Sequence, residues 1–302
     1  MAACKTKSHR SSIEVIDERG YVVSQQTTSG GGLKILGIAL IIVGGLIYLA
    51  LGGVDENPSA LLAIPLIVGG ILVHYRGRQH AARAKAVAPD TRLTDSQPKV
   101  LYLRSFQTDP STAYQQLAAG WTTEEEELKS VLQPFGEMVA IGQPGERLPV
   151  PGATRMYANQ SEWKRVVLAS MQSAPLVVLR AGSSPGLLWE MEQAVRTLQP
   201  ERLLVFVLNI KVQDYNLFAN QVKVNFGLQL PAIEASSVMR AIVDRRESPG
   251  KAKPGFVAFE SDWSAVYLPL PSTIVRTGYK DFSKAFRTAL RPVFERHGIS
   301  CK

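Results

Sequence analysis

The most constraining feature of this chain is a pair of apolar runs, Ile35 to Val54 and Ala60 to Tyr75, separated only by Asp55-Glu56-Asn57-Pro58-Ser59. At about 1.5 Å of rise per residue the first run reaches roughly 30 Å, the thickness of a bilayer's hydrocarbon core. The second is shorter and contains Pro65, so alone it fits a buried core helix or a re-entrant segment. The connector keeps it beside the first, and the two read as a transmembrane hairpin in which Gly44-Gly45 and Gly69-Gly70 permit close approach. A cleaved signal peptide is disfavoured, because a long polar stretch precedes the first run. Neither run holds an ionisable side chain except His74 at the edge of the second, which argues against a hairpin that itself transports solutes.

Basic residues orient the hairpin. Lys5, Lys7, Arg10, Arg19 and Lys34 precede it and Arg76, Arg78, Arg83, Lys85 and Arg92 follow it, whereas the connector carries only acids. The positive-inside rule then puts both termini in the cytoplasm. The formal net charge of +8 is spread along the chain rather than gathered in a polybasic block, so no nucleic-acid partner is expected. The basic stretch after the hairpin reads as topology-setting charge. Cys4 and Cys301 stand at opposite ends, which suits a reducing compartment and offers no disulfide framework or metal cluster.

Four segments follow from this pattern. Residues 1–32, ending in Gln25-Gln26-Thr27-Thr28-Ser29 and Gly30 to Gly32, read as a flexible cytoplasmic tail. Residues 33–75 form the hairpin. Residues 76–98 read as a basic juxtamembrane linker that begins as a short helix. From residue 99 to 302 short apolar runs alternate with amphipathic stretches, the pattern of an α/β domain with a mainly parallel sheet and helices on both faces. The expected strands are Val100 to Leu103, Met138 to Ile141, Pro175 to Leu179, Leu203 to Leu208, Phe256 to Phe259 and Ala265 to Leu268. The expected helices run from Thr122 to Leu132, from an N-cap at Ser161, and over Leu187 to Leu198, Asp214 to Phe226 and Lys280 to His297. Phe282, Phe286, Leu290 and Phe294 in the last helix read as core.

In such a sheet ligands bind outside the carboxyl ends of the strands, where strand order reverses. The loops that matter carry Arg104, Ser105, Phe106 and Asp109 after the first strand, Gly142 and Gly145 after the second, and Arg180, Gly182, Ser183, Ser184 and Gly186 after the third. Gly182-x-Ser184-x-Gly186 has the form of a nucleophile elbow, and Asp262 and His297 follow in hydrolase order. Pro185 rejects that reading, because the residue after the nucleophile must donate its backbone N–H and proline has none. Small residues, hydroxyls and free N–H groups at a helix start suit an anion or nucleotide cradle instead. Glu190, on the following helix beside Trp189, is the candidate catalytic residue. Its alternative role is that of an acid satisfying the helix dipole, with Trp189 as packing.

Three stretches resemble the Toll/interleukin-1 receptor (TIR) domain superfamily and the related nucleoside deoxyribosyltransferase-like domains. They are Val100 to Asp109, Trp163 to Arg180 and Ser183 to Ala194, the last with Trp189, Glu190 and Ala194 on one helix. The whole chain is similar to bacterial membrane proteins that join a short transmembrane hairpin to such a domain. The resemblance implies a flavodoxin-like fold at the bacterial inner membrane and cleavage of an N-glycosidic bond in NAD or a nucleoside. Glu190 would act on the ribose, while Ser183, Ser184 and Gly186 hold phosphate and Arg104 and Phe106 contact phosphate and base. NAD is the candidate substrate or ligand, and no other cofactor is indicated. The rival expectation is a non-enzymatic signalling or scaffold domain that self-associates beneath the bilayer.

Overall fold

A computed structural model of the chain describes residues 5–9, 12–16, 22–27, 30–51, 58–84, 98–105, 123–142, 152–158, 161–236, 250–271 and 280–300. The chain divides into two compact units, residues 1–88 with 144–151, and residues 89–143 with 152–302.

The first unit opens with strands where a flexible tail was expected. β1 (Lys5–His9), β2 (Ser12–Ile16) and β3 (Val22–Thr27) form an antiparallel sheet with β2 in the middle. The overlooked signal is local. Ile13, Val15, Ile16, Val22 and Val23 are β-branched residues gathered in two short runs, which suit a pleated strand better than a solvated coil.

Helix α1 (Gly31–Ala50) and helix α2 (Ala63–Ala84, after a 3-10 turn at Pro58–Leu62) carry the two apolar runs. Both are long and apolar enough to cross a membrane. Residues 52–57, which take in the end of the first apolar run and residues 55–57 of the connector, lie outside the described residues. Pro65 falls in the first turn of α2, where its missing N–H costs no helical bond. Instead of ending at Tyr75, α2 runs on through Arg76, Arg78 and Arg83, so the expected juxtamembrane helix continues the second apolar helix.

The helices pack antiparallel along a seam of small residues spaced by sevens. Gly30, Gly37 and Gly44 meet Gly77, Gly70 and Ala63 respectively. A Cβ on Gly37 would lie 2.5 Å from His74 N and 2.6 Å from Gly70 O, and one on Gly70 would lie 2.7 Å from Gly37 O. A polar tie joins the pair, between His74 Nδ1 and Lys34 O at 3.2 Å. Of the two Gly-Gly pairs singled out in the sequence, only Gly44 and Gly70 enter the seam. Gly45 and Gly69 have open space where a Cβ would stand, because adjacent helical residues point about 100° apart. Away from the seam Ile35 and Leu49 are 72% and 74% exposed, as expected of side chains with no protein partner.

The second unit is an α/β fold on a seven-stranded mixed sheet. Its strands are β4 (Lys99–Leu103), β5 (Glu137–Gly142), β6 (Thr154–Tyr157), β7 (Val177–Arg180), β8 (Leu203–Val207), β9 (Gly255–Phe259) and β10 (Ala265–Pro269). They lie in the order β10-β9-β8-β7-β4-β5-β6. The five strands from β8 to β6 are parallel, and β9 and β10 are antiparallel additions at one edge. Six strands match those expected. β6 is new, and it lies in the stretch read as irregular, since four residues interrupted by Arg155 give no apolar run.

The helices are α3 (Glu124–Leu132), α4 (Trp163–Ser173), α5 (Pro185–Thr197), α6 (Val212–Phe226) and α7 (Lys280–Arg296). Glu162, not Ser161, precedes α4, and it makes no side-chain cap. One face of the sheet, with Val100, Tyr102, Met138, Val178 and Phe206, packs on Leu128 and Leu132 of α3 and on Phe286, Leu290 and Phe294 of α7. Phe206 stacks on Phe256 at 4.8 Å between ring centroids, and Phe286 stands edge-on to both. The side chain of Phe282 lies outside the described residues. The alternate strand residues, such as Leu101, Leu103, Leu179 and Val205, are equally buried and belong to the opposite face, that of α4, α5 and α6. Double coverage explains why the strands are continuous apolar runs.

Replacing Gly37 by Leu should split the helix seam, while Leu at Gly45 should be tolerated. Overpacking costs typically about 1–3 kcal/mol, so Gly37→Leu should lower the melting temperature of the first unit in detergent and Gly45→Leu should not.

Candidate functional site

The chain runs β4, β5, β6 outward to one side and then crosses to β7 and β8 on the other, so strand order reverses between β4 and β7. Leu103 pairs with Leu179, which puts Arg104 beside Arg180 at the carboxyl edge of that reversal. Both arginines follow the face covered by α3, and its first turn meets them.

That turn resolves the run of four glutamates. Thr123 and Glu126 form a reciprocal capping box: Glu126 N donates to Thr123 Oγ1 at 3.2 Å and Thr123 N donates to Glu126 Oε2 at 2.9 Å. The other three turn inward. Glu124 Oε2 lies 3.4 Å from Arg180 Nη2, and Glu124 Oε1 accepts from Asn209 Nδ2 at 3.2 Å. Glu125 takes both guanidinium nitrogens of Arg155, at 2.5 and 3.3 Å, and the backbone N–H of Ala153 at 2.9 Å, with Arg104 Nε 3.8 Å away. Glu127 accepts from the Ser283 hydroxyl on α7. Lys251 Nζ donates to Asn209 Oδ1 at 3.3 Å, and Arg180 Nη2 also donates to Leu208 O at 3.2 Å. Arg155 is only 1% exposed. Burial alone would raise the Glu125 carboxyl, but the Arg155 and Arg104 guanidiniums and the two hydrogen-bond donors hold it below the usual carboxylate range.

The α5 side of the same edge is built differently. Ser184 caps α5, its hydroxyl accepting from Leu187 N at 3.4 Å, and Pro185 occupies the first helical position. Ser184 has relaxed extended backbone angles, unlike a strained nucleophile elbow. Asp262 caps the backbone N–H of Ser264 and His297 bonds Val293 O, so the other members of the hydrolase series are engaged locally. Ser183 and Gly186 are exposed. Gly182 is restricted, since a Cβ there would lie 3.2 Å from Leu187 Cδ2.

Glu190 shares the inward face of α5 with Leu187, Met191 and Ala194 and is 7% exposed. It has no hydrogen bond or ion pair among the described residues. Burial pushes its carboxyl up to about 8. Trp189 packs edge-on against Trp163 of α4 with ring centroids 4.9 Å apart, beneath Lys164 Nζ at 5.1 Å.

Arg104 and Arg180 therefore come together, with Gly182 to Ser184 at the same edge, while Glu190 lies on the α5 side of the sheet. Gly142 ends β5, buried, on that edge, and Ser105 is half-buried next to Arg104. Phe106, Asp109 and Gly145 lie outside the described residues. Sequence reasoning missed Glu124, Glu125, Arg155, Asn209 and Lys251. One signal was available in the sequence: a helix whose first turn is all glutamate leaves no apolar face there unless the acids are paired; the left-handed φ of 58° at Asn209, just after β8, is visible only in the structure. No family model, curated protein or solved structure matches the chain.

Removing Arg155 strands the Glu125 carboxylate. Arg155→Ala should cost on the order of 3–5 kcal/mol in chemical denaturation, and adding Glu125→Gln should recover part of it. Glu190 has the opposite linkage: the folded chain holds its proton to about 8, against an ordinary 4.5. Its contribution is fully present below pH 4.5 and lost as pH rises through about 8, at roughly 1.4 kcal/mol per unit. In denaturation series across this range, Glu190→Gln should flatten that decline.

Proposed function

We propose that the chain is a membrane-tethered cytoplasmic α/β domain that binds a phosphate-bearing nucleotide, NAD or a nucleoside derivative, at the carboxyl edge between β4 and β7. One observation carries this reading: Arg104 and Arg180 stand side by side at the strand-order reversal, next to the Gly182-to-Ser184 entry of α5. Guanidiniums and helix-start N–H groups are the donors that phosphate oxygens favour. The order β5-β4-β7-β8 supports the flavodoxin-like comparison, with β6 added outside β5 and the antiparallel β9 next in line. Two long apolar helices with outward-facing Ile and Leu side chains, and basic residues flanking both, support a transmembrane hairpin with cytoplasmic termini.

In the catalytic version of this reading, Glu190 stabilises ribose or the positive charge that develops as an N-glycosidic bond breaks. At neutral pH burial keeps Glu190 largely protonated, so charge stabilisation requires the ligand to draw off that proton. Its position under α5 favours a second reading, in which the domain binds its ligand without cleaving it and signals through self-association beneath the membrane.

The test is calorimetric titration of the full chain in detergent with NAD, adenosine and inorganic phosphate, beside an assay for released nicotinamide or free base. NAD should bind, and Arg104→Gln should weaken it about tenfold or more, the size expected of one charged hydrogen bond, with less effect on adenosine. Product release abolished by Glu190→Gln identifies the enzyme; binding without release identifies the sensor. Absence of binding by all three ligands refutes the site.

A further inference from the structure

The surface that α7 turns to solvent has a composition that neither the core nor the nucleotide edge explains. Ala285, Phe286, Ala289, Leu290, Val293 and Phe294 are buried in the sheet-facing core, so the apolar side of the helix is fully used. Along the helix after Ser283 the exposed positions are Lys284, Arg287, Thr288, Arg291, Pro292, Glu295 and Arg296, with Glu295 the one acid among them and Arg296 already bonded to Glu260. Lys284, Arg287 and Arg291 recur at intervals of three and four, so the three cations form one stripe along the helix.

We infer that this stripe is a docking face for anionic lipid headgroups, an inference that rests on the proposed membrane tether. The tether limits how far the face can travel: from Ala84 to Lys99 even a fully extended chain reaches only about 50 Å. The second unit is thereby held at high local concentration near any bilayer that α2 crosses. The mode is electrostatic apposition, not insertion, because the apolar side of α7 is occupied by the core and has nothing left to bury in acyl chains. Basic groups near an anionic leaflet each contribute a fewfold preference, and three together about a hundredfold, fading as salt screens the surface.

The experiment uses the full chain with Cys4 and Cys301 replaced by Ser and a fluorophore on Thr288→Cys, reconstituted in vesicles carrying a headgroup-labelled acceptor lipid. Energy transfer should rise when phosphatidylglycerol is added to phosphatidylcholine and fall again in high salt. The triple variant Lys284→Glu, Arg287→Glu, Arg291→Glu should lose that response. Arg165→Glu with Arg196→Glu, on the opposite helical layer, should keep it. The inference is overturned by equal transfer in neutral and anionic vesicles, by a response that survives the triple reversal, or by one that both sets of reversals abolish alike. It is also overturned if the stripe binds duplex DNA in preference to anionic vesicles. The salt series on the unmutated face decides the matter even if the triple variant fails to fold. Alkaline carbonate extraction checks the tether independently: release of the chain from vesicles refutes membrane spanning, whatever the stripe does.

Discussion

The buried pairing of Glu125 with Arg155 is the interaction on which the carboxyl edge of the sheet depends. It joins the start of α3 to β6, and through Ala153 N it also fixes the approach to that strand. Charges this far from water are tolerated only when paired and hydrogen-bonded, and here the bidentate geometry engages both terminal guanidinium nitrogens of Arg155, while its Nε makes no hydrogen bond among the described residues. Glu124 in turn faces Arg180 and Asn209, while the β4–β7 pairing sets Arg104 in register with Arg180. A stretch of four glutamates thus becomes a capping acid, two arginine partners and a hydroxyl acceptor for α7. The placement of α3 over the reversal of strand order follows from that division.

The two sides of the same edge follow different electrostatic rules. On the α3 side the Arg155 and Arg104 guanidiniums hold the Glu125 carboxyl below the usual carboxylate range, whereas on the α5 side Glu190 is buried on the same helix face as Leu187, Met191 and Ala194 and keeps its proton. A phosphate would be drawn to the first environment, and a neutral hydroxyl would be accepted by the second. The first unit is held differently. Its helices are joined by the close approach of backbones at glycine, where each missing Cβ brings carbonyl and amide groups of the partner into van der Waals contact.

The legibility of these features follows their physical range. Strands β4, β5, β7 and β8 were recognisable because residues covered on both faces must all be apolar, and that leaves an unbroken run in the sequence. The capping box of α3 is equally local, since a cap and its target lie within one turn, whereas Ser184, read as part of an anion cradle, is the cap of α5. β6 was not local, because Thr154-Arg155-Met156-Tyr157 pairs with β5 through backbone bonds and buries its arginine against a helix about thirty residues earlier in the chain. The N-terminal strands show the same limit in milder form: their β-branched residues hinted at pairing, but only the sheet supplied partners.

The sequence by itself determined the two apolar helices, the alternation of strands and helices after residue 98, and the exclusion of a serine nucleophile at Ser184. Each depends on composition over a short window or on one covalent fact, the missing N–H of Pro185. Tertiary structure alone decided which glycines meet in the helix seam, which glutamates are buried, and on which side of the sheet Glu190 lies. Those outcomes depend on contacts between residues distant in the chain, and the same side chain is a solvated acid or a buried proton carrier according to what folds against it.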